Sequence, residues 1–268
     1  MTKNNSLAKI LVGASVVGAV LFSSFTMAQD TPATASTPAT SQQIKDQRAL
    51  DLLRGMSDTL AKAQTMSFRV RSLVPFAAPS GQHISLFGSS LVAMQRPNKL
   101  FVETGGDLFP HKLYFNGKTV TTVGADQQFY AQETAPTTVE ALIQTEHPGS
   151  DALAPFVDLL AADPYARLTQ DSAASALVVG QSTIEAVNTD HLAFSGNGVD
   201  WEIWIGAEDK LPRLMVVHYR SGELQPTFTA VFSDWQLGAP TPAETFDATI
   251  PKDAEKIEFK LPVLQQSE

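Results

Sequence analysis

Residues 44–72 read IKDQRALDLLRGMSDTLAKAQTMSFRVRS, and inside this stretch the spacing of apolar residues changes from helical to extended. Leu50, Leu53, Met56, Leu60 and Ala63 recur at three- and four-residue intervals, with Asp46, Arg48, Asp51, Arg54 and Lys62 between them. That spacing predicts a helix of about 20 residues over Ile44–Met66 with a single apolar stripe. Phe68, Val70 and Ser72 then alternate with Arg69 and Arg71, the period-two pattern of a strand. An amphipathic helix that hands straight on to a strand has to lay its stripe on a sheet.

The chain downstream continues the extended pattern. Ile84 and Leu86 lead a segment through Val92 and Met94 to Arg96, Pro97-Asn98 turns, and Leu100–Glu103 resumes. Asn116-Gly117 joins Lys112–Phe115 to Thr119–Val123 and is the strongest short hairpin signal in the chain. Gln128–Gln132 follows another turn. After an interruption come Ala176–Val179, Thr183–Ala186, His191–Phe194, Trp201–Ile205, Leu214–Tyr219 and Thr227–Trp235, then an extended Lys256–Phe259. Short strands joined by tight turns imply an antiparallel meander rather than a parallel sheet with crossovers.

The interruption carries the remaining helical signals. Thr137-Thr138-Val139-Glu140 reads as a capping box, with Val139, Leu142 and Ile143 as a short apolar face. Residues 146–151 read as a loop, and Pro155, Phe156, Leu159 and Leu160 suggest a second short helix stopped near Asp163-Pro164. The fold class expected is α+β, mainly antiparallel β, with roughly 11 strands in an unclosed barrel over one long helix and two short inserted ones. A sheet that large with so few helices must leave a hollow or fill it with its own side chains.

Upstream, Lys3 and Lys9 precede an apolar stretch from Ile10 to Phe25, and Thr26-Met27-Ala28 places small residues where a signal peptidase cuts. The pattern predicts an exported protein with a signal peptide over 1–28, cleaved after Ala28. The apolar run falls short of the ~20 residues needed to span a bilayer. Residues 29–43 are mostly Thr, Pro, Ala and Ser, with three Gln and one charge, and read as a disordered linker. A single domain is expected over 44–262, with a short tail over 263–268. The simplest address is the periplasm.

No cysteine is present among the 268 residues. Disulfides and the acylated cysteine of a lipoprotein are both ruled out, so stability has to come from core burial. The formal net charge is −9; residues 1–28 hold two lysines and no acid, so the remainder carries −11. A chain this acidic is not expected to bind nucleic acid.

Chemistry-bearing motifs are few. His83, His111, His147, His191 and His218 form no HExxH motif and no i,i+3 or i,i+4 pair, although His191 and His218 both fall on strands. No G-x-S-x-G elbow or phosphate-cradling glycine loop occurs. Asp158 and Asp163 flank a helix end, where acids ordinarily cap and solvate. The reading is a non-enzyme with no metal and no cofactor.

Several blocks resemble a known family. They are LDLLRGMSD (50–58), QTMSF (64–68), QRPNKL (95–100), YFNGKTV (114–120), DPY (163–165), DWEIWI (200–205), LPR (211–213) and FTAVFSDW (228–235). Over about residues 45–260 the chain resembles the DUF2092 predicted periplasmic proteins, within the wider LolA/LolB/LppX-like fold superfamily. That resemblance implies an unclosed barrel over helices with an apolar hollow used for acyl chains or other lipids; some relatives act as envelope-stress sensors.

Candidate lining residues follow from the strand and helix faces. They are Leu53, Met56 and Leu60 on the first helix, Phe68 and Val70 on the first strand, and Leu142, Phe156 and Leu159 in the insert. Trp201, Ile203, Leu214, Val216, Phe228 and Phe232 on later strands complete the set. Apolar alternation alone does not separate a filled core from a ligand-lined hollow. The expected function is a soluble periplasmic binder or carrier of a lipid or lipoprotein acyl chain, with segments 137–145 and 155–162 as a movable cover. The alternative is an envelope sensor docking on an inner- or outer-membrane partner protein, and a third reading, an envelope hydrolase, lacks any motif.

Overall fold

A computed structural model describes residues 44–78, 80–107, 110–144, 155–170, 175–196, 198–220 and 225–258. The signal peptide, the linker, the 146–151 loop and the 263–268 tail expected from sequence lie outside the described residues.

Helix α1 spans Gln47–Lys62, shorter at both ends than Ile44–Met66. Asp46 sets its start: the carboxylate accepts the Arg48 N–H at 2.9 Å, satisfying one of the donors a helix N-terminus leaves open. The three residues before the helix are held in extended form. Asp46 N–H donates to the Ala176 carbonyl at 2.8 Å, and Ala176 N–H to that of Ile44 at 2.7 Å. At the other end Ala63 is extended, so the chain passes into a strand within two residues.

Twelve strands follow among the described residues: β1 (Thr65–Ala77), β2 (His83–Gln95), β3 (Lys99–Gly106), β4 (His111–Phe115), β5 (Thr119–Gly124) and β6 (Phe129–Thr134), then β7 (Ser175–Ile184), β8 (Val187–Gly196), β9 (Val199–Gly206), β10 (Pro212–Tyr219), β11 (Thr227–Leu237) and β12 (Glu255–Lys256). They form one open sheet in the order β12-β6-β5-β4-β3-β2-β1-β11-β10-β9-β8-β7. All pairs are antiparallel except β12–β6. The expected α+β, mainly antiparallel, unclosed architecture is the one observed.

Strand order decides where the insert goes. Strand β6 stands next to one end of the sheet and β7 at the other, ten strand spacings apart in the order above. At about 4.8 Å per spacing, a connection of some 48 Å along the sheet is required, less where the sheet curls. Residues 135–174 make that crossing. Their described part carries α2 (Val139–Gln144), a 3-10 helix (Pro155–Leu160) and α3 (Pro164–Thr169); the 3-10 helix and α3 pack against α1, and α2 packs against the 3-10 helix.

Three local expectations are corrected. The strands expected over Ala176–Val179 and Thr183–Ala186 merge into one, β7, bulged between Val178 and Gly180 and ending at Ile184. Its hairpin to β8 turns at Glu185 and Ala186, both with positive φ (46° and 66°), a turn that ordinarily carries Asn-Gly. Asp163-Pro164 starts a helix as well as ending one: the Asp163 carboxylate accepts the Ala166 N–H at 3.0 Å, with Pro164 at the first helical position. In α2 the capping hydroxyl is that of Thr138, accepting from Ala141 N–H at 3.1 Å.

The main core lies on the face that α1 and the insert cover, here the inner face. From the sheet, Phe68, Val92, Met94, Ile203, Phe228 and Phe232 meet Ala49, Leu53, Met56 and Leu60 of α1. A small second cluster on the outer face packs Phe246, from the 3-10 turn Ala243–Phe246, against Ala93 and Phe101.

Candidate functional site

The candidate site is the layer between the sheet and its helical cover. From below, α1 contributes Leu53, Met56 and Leu60, each fully buried. Phe156, Leu159 and Leu160 come from the 3-10 helix above, with Val139 of α2 beside them. Phe156 meets Phe232 edge-on with ring centroids 6.3 Å apart, and Phe232 in turn adjoins Phe68 and Trp235. The Phe68 and Trp235 rings stack at 4.2 Å. Such contacts contribute on the order of 1 kcal/mol each beyond burial itself.

Around this apolar layer runs a rim of polar fastenings. The Arg96 guanidinium donates through Nη2 to the Ala161 carbonyl at 2.9 Å. Its Nε is buried without a hydrogen-bond partner. Burial holds the Arg96 pKa below the ordinary arginine value, with the nearby Glu140 carboxylate opposing that shift. Glu140 itself accepts the Ala162 N–H at 2.7 Å. On the α1 side, Ser57 Oγ accepts the Tyr165 N–H at 2.9 Å and donates to Asp163 at 3.4 Å. The Arg54 guanidinium lies 3.8 Å from the centre of the Tyr165 ring. Arg167 pairs with Asp158 at 3.0 Å within the insert. The two carboxylates singled out in sequence are thus an ion-pair partner and a helix cap.

Eleven of the expected lining residues meet in one buried cluster: Leu53, Met56, Leu60, Phe68, Val70, Phe156, Leu159, Trp201, Ile203, Phe228 and Phe232. Leu142 packs against it, partly buried. Leu214 and Val216 stand elsewhere, half-buried on the outer face, while Met215 and Val217 point inward. Both alternating sets on β10 are apolar, so the sequence carried no sign of which set faces in. The polar rim was also missed. Ser57 and Arg96 have no spacing signature, because their backbone partners are distant in sequence, and Glu140, read as part of a capping box, instead accepts the N–H of Ala162.

Two further places carry chemistry. On the outer face His191 Nε2 lies 2.7 Å from one Glu202 oxygen and His218 Nε2 lies 3.4 Å from the other, while Trp204 stacks on the His191 ring at 3.8 Å. The two strand histidines therefore converge, on a carboxylate. Among the described residues no group of three such side chains is arranged to hold a metal ion. At the β6–β12 edge, away from α1, an open cleft of about 560 Å³ is lined by Gln132, Glu133, Lys256, Ile257 and Glu258. Four of its five lining residues are polar or charged, unlike the lining expected for an acyl chain.

These features define the class: an α+β protein with an open antiparallel sheet whose inner face is sealed by a long helix and a crossing helical insert. The chain belongs to the predicted periplasmic protein family DUF2092, whose model matches residues 49–260. No curated protein matches the sequence. Among solved structures, an uncharacterized conserved protein from Thermus thermophilus is 10% identical, with 80% of this chain and 98% of that chain covered and a TM-score of 0.44. The MucA/MucB complex of Pseudomonas aeruginosa gives 11% identity, coverage of 75% and 61%, and a TM-score of 0.43. LprF from Mycobacterium bovis gives 14% identity, coverage of 79% and 100%, and a TM-score of 0.42. No helix among the described residues is long and apolar enough to cross a membrane.

Proposed function

We propose that this chain is a periplasmic protein, exported by cleavage after Ala28, that takes up the acyl chain of a lipid or lipoprotein beneath its helical insert. One observation carries the reading. The insert rests on an apolar layer of Leu, Met and Phe side chains, and the polar bonds that tie it to the rest of the fold are few: Arg96 to Ala161, Ser57 to Tyr165 and Asp163, and Val139 N–H to the Pro97 carbonyl. Lifting it breaks that handful of hydrogen bonds, each worth about 1 kcal/mol net, and exposes apolar surface. An acyl chain covers that surface again, at about 0.8 kcal/mol per methylene. Unliganded, the layer closes on itself, so the closed form and the binding form are two states of one cover.

A disulfide that locks the cover tests this directly, because the chain has no other thiol. With Ser57→Cys and Tyr165→Cys introduced together, the oxidised protein should exclude a fluorescent fatty acid, and reduction should restore uptake. Native mass spectrometry of protein purified without detergent should show a co-purified lipid. Uptake that is absent in the parent chain, or indifferent to the lock, would reject the reading. Recovery of one stoichiometric envelope protein by crosslinking, with no lipid bound, would favour the sensor alternative instead.

A further inference from the structure

We propose that the projecting end of the β1–β2 ribbon is a docking element that inserts its tip into the interface of a low-charge lipid surface. The proposal is independent of ligand binding under the insert. It begins with composition. From Ser72 to Gln95 the chain has 24 consecutive residues without Asp, Glu, Lys or Arg, in a protein of which 18% is charged. His83 is the one titratable residue in the run.

The register shows that this run leaves the sheet. β1 pairs with β11 only as far as Leu73, and β2 pairs with β3 only from Gly88. Beyond those limits Val74–Ala77 and His83–Leu86 pair with each other, while Phe87 at the base is still tied to Asp107, whose carboxylate accepts the Phe87 N–H at 2.9 Å and whose N–H donates to the Phe87 carbonyl at 2.8 Å. At about 3.3 Å per residue, the two-stranded end reaches roughly 13 Å past its neighbours before the turn closed by Ala78 and Gln82.

Both faces of this end carry exposed apolar side chains, although Val74 at its base is buried in the main core and Ser85 and His83 share the outer face. Leu73 and Phe87 are cross-strand partners on the outer face, 47% and 42% exposed. Phe76 and Ile84 are partners on the opposite face, and Ile84 is 41% exposed. A folded protein surface covers one face of a ribbon; a fluid lipid interface covers both. The tip between them, with Ser80, Gly81 and Gln82 exposed, carries no charge to keep it in water. Backbone groups at the free edges limit the depth to the headgroup region, where they still find water, and Pro75 offers no edge donor at all. The acidic balance of the chain excludes attraction to anionic headgroups, so the surface it fits is zwitterionic and binding should be insensitive to salt.

Flotation of the exported protein with phosphatidylethanolamine–phosphatidylcholine vesicles, at low and high salt, tests the assignment. Parent protein should float with vesicles at both. Leu73→Ser with Phe87→Ser, and separately Phe76→Ser with Ile84→Ser, should each lower partitioning at least about tenfold, since each removes two buried apolar side chains. Ser80→Asp with Gln82→Glu alters only exposed tip positions, leaves folding untouched by circular dichroism, and should lower partitioning similarly. All variants keep residues 29–43, so any membrane affinity there is common to them. Parent protein that does not float, or variants that float like the parent, overturn the proposal. Loss with the Leu73/Phe87 pair alone also overturns it, because one-faced dependence belongs to a protein surface.

Discussion

Arg96 Nη2 lies 2.9 Å from the carbonyl oxygen of Ala161, which ties the residue that follows β2 to the end of the inserted 3-10 helix. The same guanidinium buries Nε without a partner, so it both fastens the cover and strains it. Arg96→Met keeps the aliphatic stem, removes the orphaned donor, and frees Ala161 O. Global stability in urea should change by no more than about 1 kcal/mol, because the lost bond and the relieved desolvation offset each other. Amide exchange in 160–162 should nevertheless accelerate, and acyl-probe uptake should be faster. A large loss of global stability with unchanged local exchange would show that Arg96 supports the sheet rather than the cover.

Ser57 is the matching fastening on α1. Its hydroxyl accepts from Tyr165 N–H and donates to Asp163, the residue that caps α3. Ser57→Ala leaves the Tyr165 donor unsatisfied in a part-buried setting and loosens the cap. The expected cost is about 1–2 kcal/mol, read from urea unfolding, and Ser57→Thr should recover part of it. Combined with Arg96→Met, the local effects on the insert should exceed their sum, since both bonds restrain one segment.

How much of this could be read in the sequence depended on whether the signal was local. Asn116-Gly117 fixes a hairpin by itself, because Gly117 takes φ +85° and its neighbour strands alternate on either side. The α1 stripe was equally plain, since Leu53, Met56 and Leu60 share one helical face. Glu185-Ala186 was not, because neither residue advertises the positive φ it adopts; the turn is imposed by the pairing of β7 with β8. Asp163-Pro164 fits a helix stop and a helix start equally well, and only the crossing path of the insert resolves it. For the site, apolar type placed eleven residues in one layer, but Met215 and Leu214 are interchangeable to a pattern reader. The polar rim depends on contacts such as Ser57 to Tyr165, over a hundred positions apart.

Gly117 also tests the hairpin energetically. A Cβ at this position would stand 2.7 Å from Asn98 Nδ2, in the β2–β3 turn, and the backbone has φ +85°. Gly117→Ala should therefore cost about 1–3 kcal/mol, combining backbone strain with displacement of the Asn98 side chain. Gly55, in the middle of α1, would meet nothing within 4 Å if it carried a Cβ. Gly55→Ala should stabilise by about 0.5–1 kcal/mol through helix propensity alone. Thermal unfolding of the two variants side by side should move in opposite directions.

Phe232 is where the sheet, the cover and a built-in fluorophore meet. It is fully buried, adjoins Phe68 and Trp235 on the sheet side, and receives Phe156 of the insert edge-on at 6.3 Å. Phe232→Ala opens a cavity beneath the 3-10 helix, and the neighbouring rings cannot all move in to fill it. Loss of the buried ring and the residual void should together cost about 3–5 kcal/mol in chemical denaturation. Trp235, stacked on Phe68 at 4.2 Å, should report the change as altered fluorescence in the folded protein. The two readings of the apolar layer then diverge. If the layer is a closed core and nothing more, the variant is less stable and binds nothing new beyond a small apolar molecule the size of the void. If the insert lifts to admit an acyl chain, the variant has lost an anchor of the closed state. Its affinity for a fluorescent fatty acid should then rise, because less of the binding energy goes into opening the cover. Weaker uptake by Phe232→Ala, with the fold intact, would instead make the ring part of the ligand's own contact surface.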